Sequence, residues 1–373
     1  MSTPSIAKPT SDPGTLMPVG NDTRSVTPMV TVIPAATLED RANFDEIIDV
    51  RSPAEFAQDH IPGALNCPVL SNDERHEVGL LYAQAPFEAR KLGASLVAKN
   101  IAAMLQAPLS DRPKPWRPLV YCWRGGMRSQ SAAVWFNLIG WRAAYLTGGY
   151  KTWRRYVVRS LETLPAKFSW RVICGATGSG KTRLLTALAQ NGEQTLDLEA
   201  LAAHRGSVFG DLPGLEQPTQ RWFETCLINR MEGFSPEKTI YIEAESRNIG
   251  KRTLSNALLD AMRAAPCLEI QAPLEARLTS LLRDYAHLGD NPAALMAKLD
   301  RLGGSIDTAT MTRWQTWAHE RNLTDLFREL ITRYYDPLYT RSQHKHFCCY
   351  ASAQQLVIND LSELFHADVI ARI

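Results

Sequence analysis

Two α/β units in series, the second ending in a helical extension, are the fold this sequence predicts. Three observations carry the prediction. Short β-rich runs alternate with amphipathic stretches before residue 153 and again after residue 169. The second series opens with an apolar run, a glycine-rich loop and a helical pattern. A chain of 373 residues, 45% hydrophobic and 21% charged, has the length and apolar content for two cores.

Composition narrows the function classes. Forty-one Lys and Arg against 39 Asp and Glu leave a net charge of +2, so any nucleic-acid surface is a local patch. The most apolar run, around Ala132 to Leu146, is broken by Asn137 and Arg142 before it reaches the roughly 18 residues of a spanning helix, and no membrane role is expected. Residues 1–29 lack the apolar stretch of a secretory signal and read as a disordered leader. Seven cysteines without a CxxC pair do not make a disulfide framework in a chain this long, which points to a reducing cytoplasm.

The first unit, expected at 30–153, reads FDEIIDV as strand, PAEFAQDH as helix, LVYCW as strand, RSQSAAVWFNLIG as helix and AAYLTGG as strand. A helical insert at about 72–114 interrupts it and closes on the proline-rich DRPKPWRP. A basic linker helix is expected at 154–168. Around it Lys151, Arg154, Arg155, Arg159, Lys167 and Arg171 stand against one acid, Glu162. That stretch reads either as a solvated helix joining two domains or as a phosphate-contacting helix at an RNA site. The second unit, 169–373, starts with WRVICGATGSGKTRLLTALAQ and continues through the strand-bearing EQTLDLEALAAH and KTIYIEAES. It then turns helical in LEARLTSLLRDYAHL and TDLFRELITRYY, and HFCCYAS with QQLVINDLSELFHADVI predicts a last strand and helix.

GATGSGKT, from Gly175 to Thr182, fits the phosphate-loop pattern G-x-x-x-x-G-K-[ST]. Gly175, Gly178, Ser179 and Gly180 let backbone N–H groups turn toward phosphate oxygens, Lys181 adds a point charge, and the Thr182 hydroxyl can ligate Mg²⁺. The pattern describes a diphosphate cradle and by itself requires no ATP hydrolysis. Asp197, Glu243 and Glu245 at strand ends are the candidate acids for a metal. Each also reads as an N-cap or a solvated carboxylate, and Glu243, after TIYI, is the best placed.

In LVYCWRGGMRSQSAAVW, Cys122 follows a β-rich run, Gly125 and Gly126 form a loop, and Arg128 opens a helix. Loop N–H groups, the positive helix end and flanking Arg124 and Arg128 would favour thiolate over thiol and would attract an anionic substrate. DVRSPAEFAQDHIPGALN (Asp49 to Asn66), this loop and LTGGYKTW (Leu146 to Trp153) together resemble the rhodanese domain. The resemblance implies that Cys122 carries sulfur or selenium, and that His60, in the HIPGA turn, is structural.

A rhodanese-like domain with a helical insert, joined to a P-loop NTPase-like domain with a helical extension, resembles the tRNA 2-selenouridine synthase family. SNDER (71–75), YCWRGGMRS (121–129), GATGSGKT (175–182), DLEALAAHRGSVFG (197–210), ESRNIG (245–250) and YYDPLY (334–339) carry that resemblance. It implies a selenotransferase acting on the wobble 2-thiouridine of Lys, Glu and Gln tRNAs, with geranyl diphosphate and selenophosphate as co-substrates. The sulfur would first be geranylated and the geranylthio group then replaced by selenium. A selenophosphate-producing enzyme is an expected partner.

Other readings remain open on the residues alone. Cys-x₅-Arg-Ser also fits the phosphate loop of cysteine-dependent phosphatases, although Tyr121 stands where those have histidine. A persulfide carrier fused to a small-molecule kinase would also use both loops, and a non-enzymatic pair of binding modules would use neither. His344, His346 and Cys348 would share one face of a strand, but a fourth metal ligand is not evident, so no metal site is assigned to them. Cys67, Cys174, Cys226 and Cys267 read as core. His204, Arg205, Arg247, Arg154, Arg155 and Arg159 are the candidate tRNA contacts, by position and charge. Among the aromatics, Trp135, Trp141 and Tyr150 read as core and Trp123 as a stacking surface beside the nucleophile.

Overall fold

Alternation of side chains places the first sheet. In the computed structural model, which describes residues 33–302 and 306–373, Leu119 and Tyr121 face one core while Val120 and Cys122 face another. The leader expected at 1–29 lies outside the described residues. Strands β1 (Ala35–Ala36), β2 (Glu46–Asp49), β3 (Leu65–Asn66), β4 (Pro118–Tyr121) and β5 (Ala144–Leu146) pair in the order β1-β5-β4-β2-β3, all parallel. Parallel neighbours need crossovers, here α1 (Pro53–Gln58), α2 (Asn72–Gln84) with α3 (Pro86–Gln106), and α4 (Met127–Leu138). Ser52 and Ser71 start α1 and α2 through capping boxes with Glu55 and Glu74. Glu74 also accepts from Asn100 Nδ2 of α3 at 2.7 Å, and Asn72 Oδ1 accepts from the Ala54 N–H at 2.9 Å. The SNDER motif is therefore the clamp that fastens the insert to α1.

Helix α5 (Gly149–Thr163) buries Tyr150, Trp153, Val157, Ser160 and Leu161 at helical spacing and exposes Lys151, Arg155 and Arg159. The helix expected at 154–168 is present over Gly149–Thr163. The helix begins five residues earlier and its apolar stripe packs in a core shared with both sheets. The reason is its amphipathic pattern, in which the charge count of the segment hides a continuous buried row.

The second sheet contains β6 (Trp170–Gly175), β7 (Gln194–Leu196) and β8 (Ile240–Glu243). A two-stranded hairpin, β9 (Asn248–Ile249) with β10 (Arg252–Thr253), precedes β11 (Cys267–Gln271) and β12 (Gln354–Val357). The sheet order is β12-β11-β6-β8-β7, all parallel. Helix α6 (Lys181–Gln190) covers one face through Leu184, Leu185 and Leu188 against Ile173 and Ile270. After α7 (Leu198–Ala202), helices α8 (Gln220–Glu232) and α9 (Asn256–Ala264) cover the other with Phe223, Leu227, Leu258 and Met262, in the same core as Trp153 of α5 and Tyr121 of β4.

The helical extension comprises α10 (Leu274–Asp284), α11 (Pro292–Asp300), α12 (Thr308–His319), α13 (Leu323–Glu329), a π-helical turn (Leu330–Tyr335) and α14 (Asp336–His346), followed after β12 by α15 (Ala367–Ile370). HFCCYAS is not the last strand. Helix α14 runs on through His346, and β12 starts only at Gln354. Positions two apart on a helix point to different sides, so His344 and His346 do not share a face.

Candidate functional site

Cys122 sits at the end of β4, and the loop after it is closed by glycines. The Tyr150 N–H donates to the Cys122 carbonyl at 2.8 Å and the Lys151 N–H to the Trp123 carbonyl at 3.1 Å, pressing the start of α5 onto the loop. Gly149 has φ +56°, and a Cβ there would lie 2.2 Å from the Cys122 carbonyl oxygen. LTGGYKTW is thus the backbone plate on which the cysteine loop rests. Cys122 Sγ is buried, 3.3 Å from Ser129 Oγ in the first turn of α4. Arg128 does not stand free over the thiol, since its Nη1 is 2.9 Å from Glu55 Oε2. Arg124 is exposed.

Beneath this loop, Arg51 is fully buried in a forked contact with Asp49, its Nε 3.0 Å from both carboxylate oxygens, and its guanidinium lies 4.1 Å from the Tyr150 ring centroid. Tyr150 Oη donates to Asp59 Oδ2 at 2.7 Å, and burial holds the Asp59 carboxyl above its ordinary pKa. His60 stacks between Phe56 and Trp222 at 3.8 and 4.0 Å, in packing and not in the loop.

The phosphate loop runs from Gly175 at the end of β6 to Lys181, the first residue of α6. Gly178 and Gly180 lie in the turn with Ser179, whose buried hydroxyl has no partner among the described residues. Lys181 Nζ donates to the Gly175 and Ala176 carbonyls at 3.2 and 3.4 Å and lies 5.0 Å from the Tyr339 ring centroid. Gln343 of α14 also donates to the Gly175 carbonyl, at 3.0 Å. Arg277 of α10 donates to the Thr177 carbonyl at 3.1 Å and pairs with Asp336 at 2.9 Å. The helical extension therefore grips the loop from above.

Thr182 Oγ1 donates to Glu243 Oε2 at 3.2 Å and lies 3.4 Å from Glu199 Oε2. Glu199, Glu243 and Glu245 bring one oxygen each within 4.8 Å of one another. Burial, then mutual repulsion, pushes Glu199 and Glu245 up to about 8 and Glu243 well above the carboxylate range. Asp197 borders this group, close enough to Glu243 to share a side-chain hydrogen bond and to help raise the three carboxyls. It is the N-cap of α7, accepting from the Ala200 N–H at 2.8 Å, and Glu199 two residues on supplies the third of the clustered oxygens. Glu243 and Glu245 are where the pattern after TIYI put them; Glu199 was missed, although DLEALAAH contains it.

A cavity of about 360 Å³ opens from this cradle. Its polar end is Lys181, Thr182, Glu199 and Arg205, and its wall is apolar and aromatic, with Phe209, Tyr285, Phe327, Leu330, Ile331 and Tyr335. Arg205, expected on an RNA surface, lines this cavity, with its guanidinium 4.9 Å from the Tyr285 ring centroid. His204 is buried, 3.3 Å from Asp211, and accepts from the Gly206 N–H, so it offers no outward contact. Arg247 is exposed on the β9–β10 hairpin, bonded to Asn256 at 2.8 Å. Arg154 forms an ion pair with Glu224 and sits 4.0 Å from Asp59, while Arg155 and Arg159 are exposed. Trp135 is 45% exposed and is not core, because its position on α4 turns away from the sheet.

A thiol loop on one five-stranded parallel sheet and a phosphate loop on a second define the class, a rhodanese-like domain fused to a P-loop domain. Residues 34–156 match the Rhodanese-like domain and residues 168–298 the tRNA 2-selenouridine synthase AAA domain. Proteins described as tRNA 2-selenouridine synthase are similar along most of the chain. The one from Aeromonas salmonicida (strain A449) is 34% identical over 79% of this chain and 86% of its own length. The one from Alcanivorax borkumensis is 33% identical over 80% and 89%, and that from Nitrosomonas europaea 37% over 64% and 63%. The chain belongs to the tRNA 2-selenouridine synthase family. No helix among the described residues is long and apolar enough to cross a membrane.

Proposed function

We propose that this chain is a tRNA-modifying transferase that converts wobble 2-thiouridine to 2-selenouridine through S-geranyl-2-thiouridine, using geranyl diphosphate and selenophosphate. The observation that carries the reading is the cavity itself, a diphosphate cradle with an apolar wall of Phe209, Phe327, Leu330 and Ile331. A prenyl diphosphate has that division of polarity. The Lys181 ammonium and the N-terminus of α6 would hold the diphosphate and favour its departure with the bonding electrons as the base sulfur attacks the allylic carbon. Turnover of ATP is not required.

Thr182 with Glu199, Glu243 and Glu245 offers hard oxygen donors that fit Mg²⁺, and the buried Glu245 Oε1, without a partner among the described residues, is consistent with such a ligand. A bound ion there would supply positive charge to the diphosphate. The second step belongs to the Cys122 loop. Once the sulfur is alkylated, C2 of the base is more electrophilic; selenium delivered from selenophosphate attacks it, geranylthiol leaves, and water releases phosphate from the selenium.

The test is mass analysis of nucleosides after incubating 2-thiouridine tRNA with the protein, geranyl diphosphate and selenophosphate. Wild type should yield selenouridine, Cys122→Ala should stop at geranylthiouridine, and Lys181→Ala should yield neither. Unchanged tRNA with all three proteins, or ATP turnover stimulated by tRNA, would overturn the reading in favour of a carrier joined to a kinase.

A further inference from the structure

We propose that the groove beside the Cys122 loop is the track for a single RNA strand, with the exposed face of α5 as its floor; this rests on the tRNA-modifying reading above. The groove, about 770 Å³, is lined by Trp123 and Arg124 of the thiol loop, by Lys151, Arg155 and Arg159 of α5, and by Arg221 of α8. Lys151, Arg155 and Arg159 are spaced four residues apart, which sets them on one helical face at steps of roughly 6 Å. A row of that pitch can follow successive phosphates of one strand.

These cations have no internal charge partner, and Arg155 is held only by the Thr152 hydroxyl at 3.1 Å. Among the described residues, none of Arg124, Lys151, Arg155, Arg159 and Arg221 has a carboxylate within ion-pair distance, whereas Arg154, which also lines the groove, is neutralised by Glu224 and Asp59. Glu162, at the Thr163 end of the helix, is the one acid among the described residues that lines the groove. The row leads to the nucleophile, since the Lys151 N–H is bonded to the Trp123 carbonyl next to Cys122. There the partly exposed Trp123 ring, 5.1 Å from that of Tyr150, offers a face on which a splayed-out base can stack. A concave site with an aromatic end fits a nucleic-acid strand better than a lipid surface.

The experiment measures affinity of the full chain for 2-thiouridine tRNA between about 50 and 200 mM salt. The triple variant Lys151→Ala, Arg155→Ala, Arg159→Ala should lower the slope of log affinity against log salt by about two. Trp123→Ala should weaken binding roughly tenfold with the slope kept, and Arg154→Ala should keep both while lowering the melting temperature. Unaltered pyrophosphate binding by the triple variant checks that it is folded. A slope unchanged in the folded triple variant overturns the track, even if wild type makes selenouridine. A lowered slope with no selenouridine from wild type keeps the track and overturns the reaction. An equal loss of affinity for anionic vesicles and for tRNA would show a general polyanion surface and overturn the RNA assignment.

Discussion

Gly149 and Glu245 show how much single positions carry. At Gly149 the positive φ and the Cys122 carbonyl 2.2 Å from any added Cβ leave no room for a side chain. Gly149→Ala should cost about 1–3 kcal/mol in urea unfolding and displace the thiol loop, so alkylation of Cys122 by iodoacetamide should change rate. At Glu245 burial raises the carboxyl to about 8, as it does at Glu199. The folded state then holds protons that the unfolded chain releases above its ordinary carboxylate pKa. Stability from these groups is therefore fully present below about pH 4.5 and is lost as pH rises to about 8. Thermal melts should fall over that window in buffer containing EDTA. Glu245→Gln should flatten the fall by on the order of a few kcal/mol, and an unflattened profile would show that Glu245 is charged when folded.

At the scale of elements, α5 does two things with two faces. Its buried row, Tyr150, Trp153, Val157 and Leu161, joins the cores of both sheets, while its exposed row faces the groove by Cys122. Trp153→Ala should cost about 3–5 kcal/mol by urea unfolding, with tRNA salt dependence unchanged; altered salt dependence would mean the rows are not independent. The π-helical turn, Leu330–Tyr335, supplies Leu330, Ile331 and Tyr335 to the cavity wall, and α14 supplies Tyr339 and Gln343 to the phosphate loop. Wider turns of this kind reposition side chains that an α-helix would rotate away. Leu330→Arg should abolish geranyl diphosphate binding in calorimetry while pyrophosphate binding changes less than about threefold, because charge in the apolar wall is costly and the cradle is untouched.

For the molecule as a whole, one core containing Tyr121, Trp153, Phe223 and Leu258 spans both sheets. The thiol loop and the phosphate loop should therefore unfold together. Pyrophosphate at about 100 times its Kd should stabilise by about 2.7 kcal/mol and shift a single calorimetric transition. Two transitions, with only one moving, would show that the halves melt separately.

The sequence by itself determined both loops, because each is a local matter: a phosphate loop is eight consecutive residues, and Cys122 with Gly125 and Gly126 lies between one strand and the next helix. Period-two and period-3.6 patterns likewise located most strands and helices. What only tertiary structure decided is which distant residues complete each site. Glu199 clusters with Glu243 and Glu245 while Asp197 beside them caps α7, because a capping and a clustered carboxylate look alike two residues apart. Arg205 turned inward, Arg154 found Glu224, and Tyr339 reached Lys181 across about 160 residues of chain. Charge and position along a chain do not say which partner a side chain will meet; that is set by packing between elements, where a buried charge finds an opposite, as Arg154 does, or is pushed toward its neutral form, as Glu243 and Glu245 are.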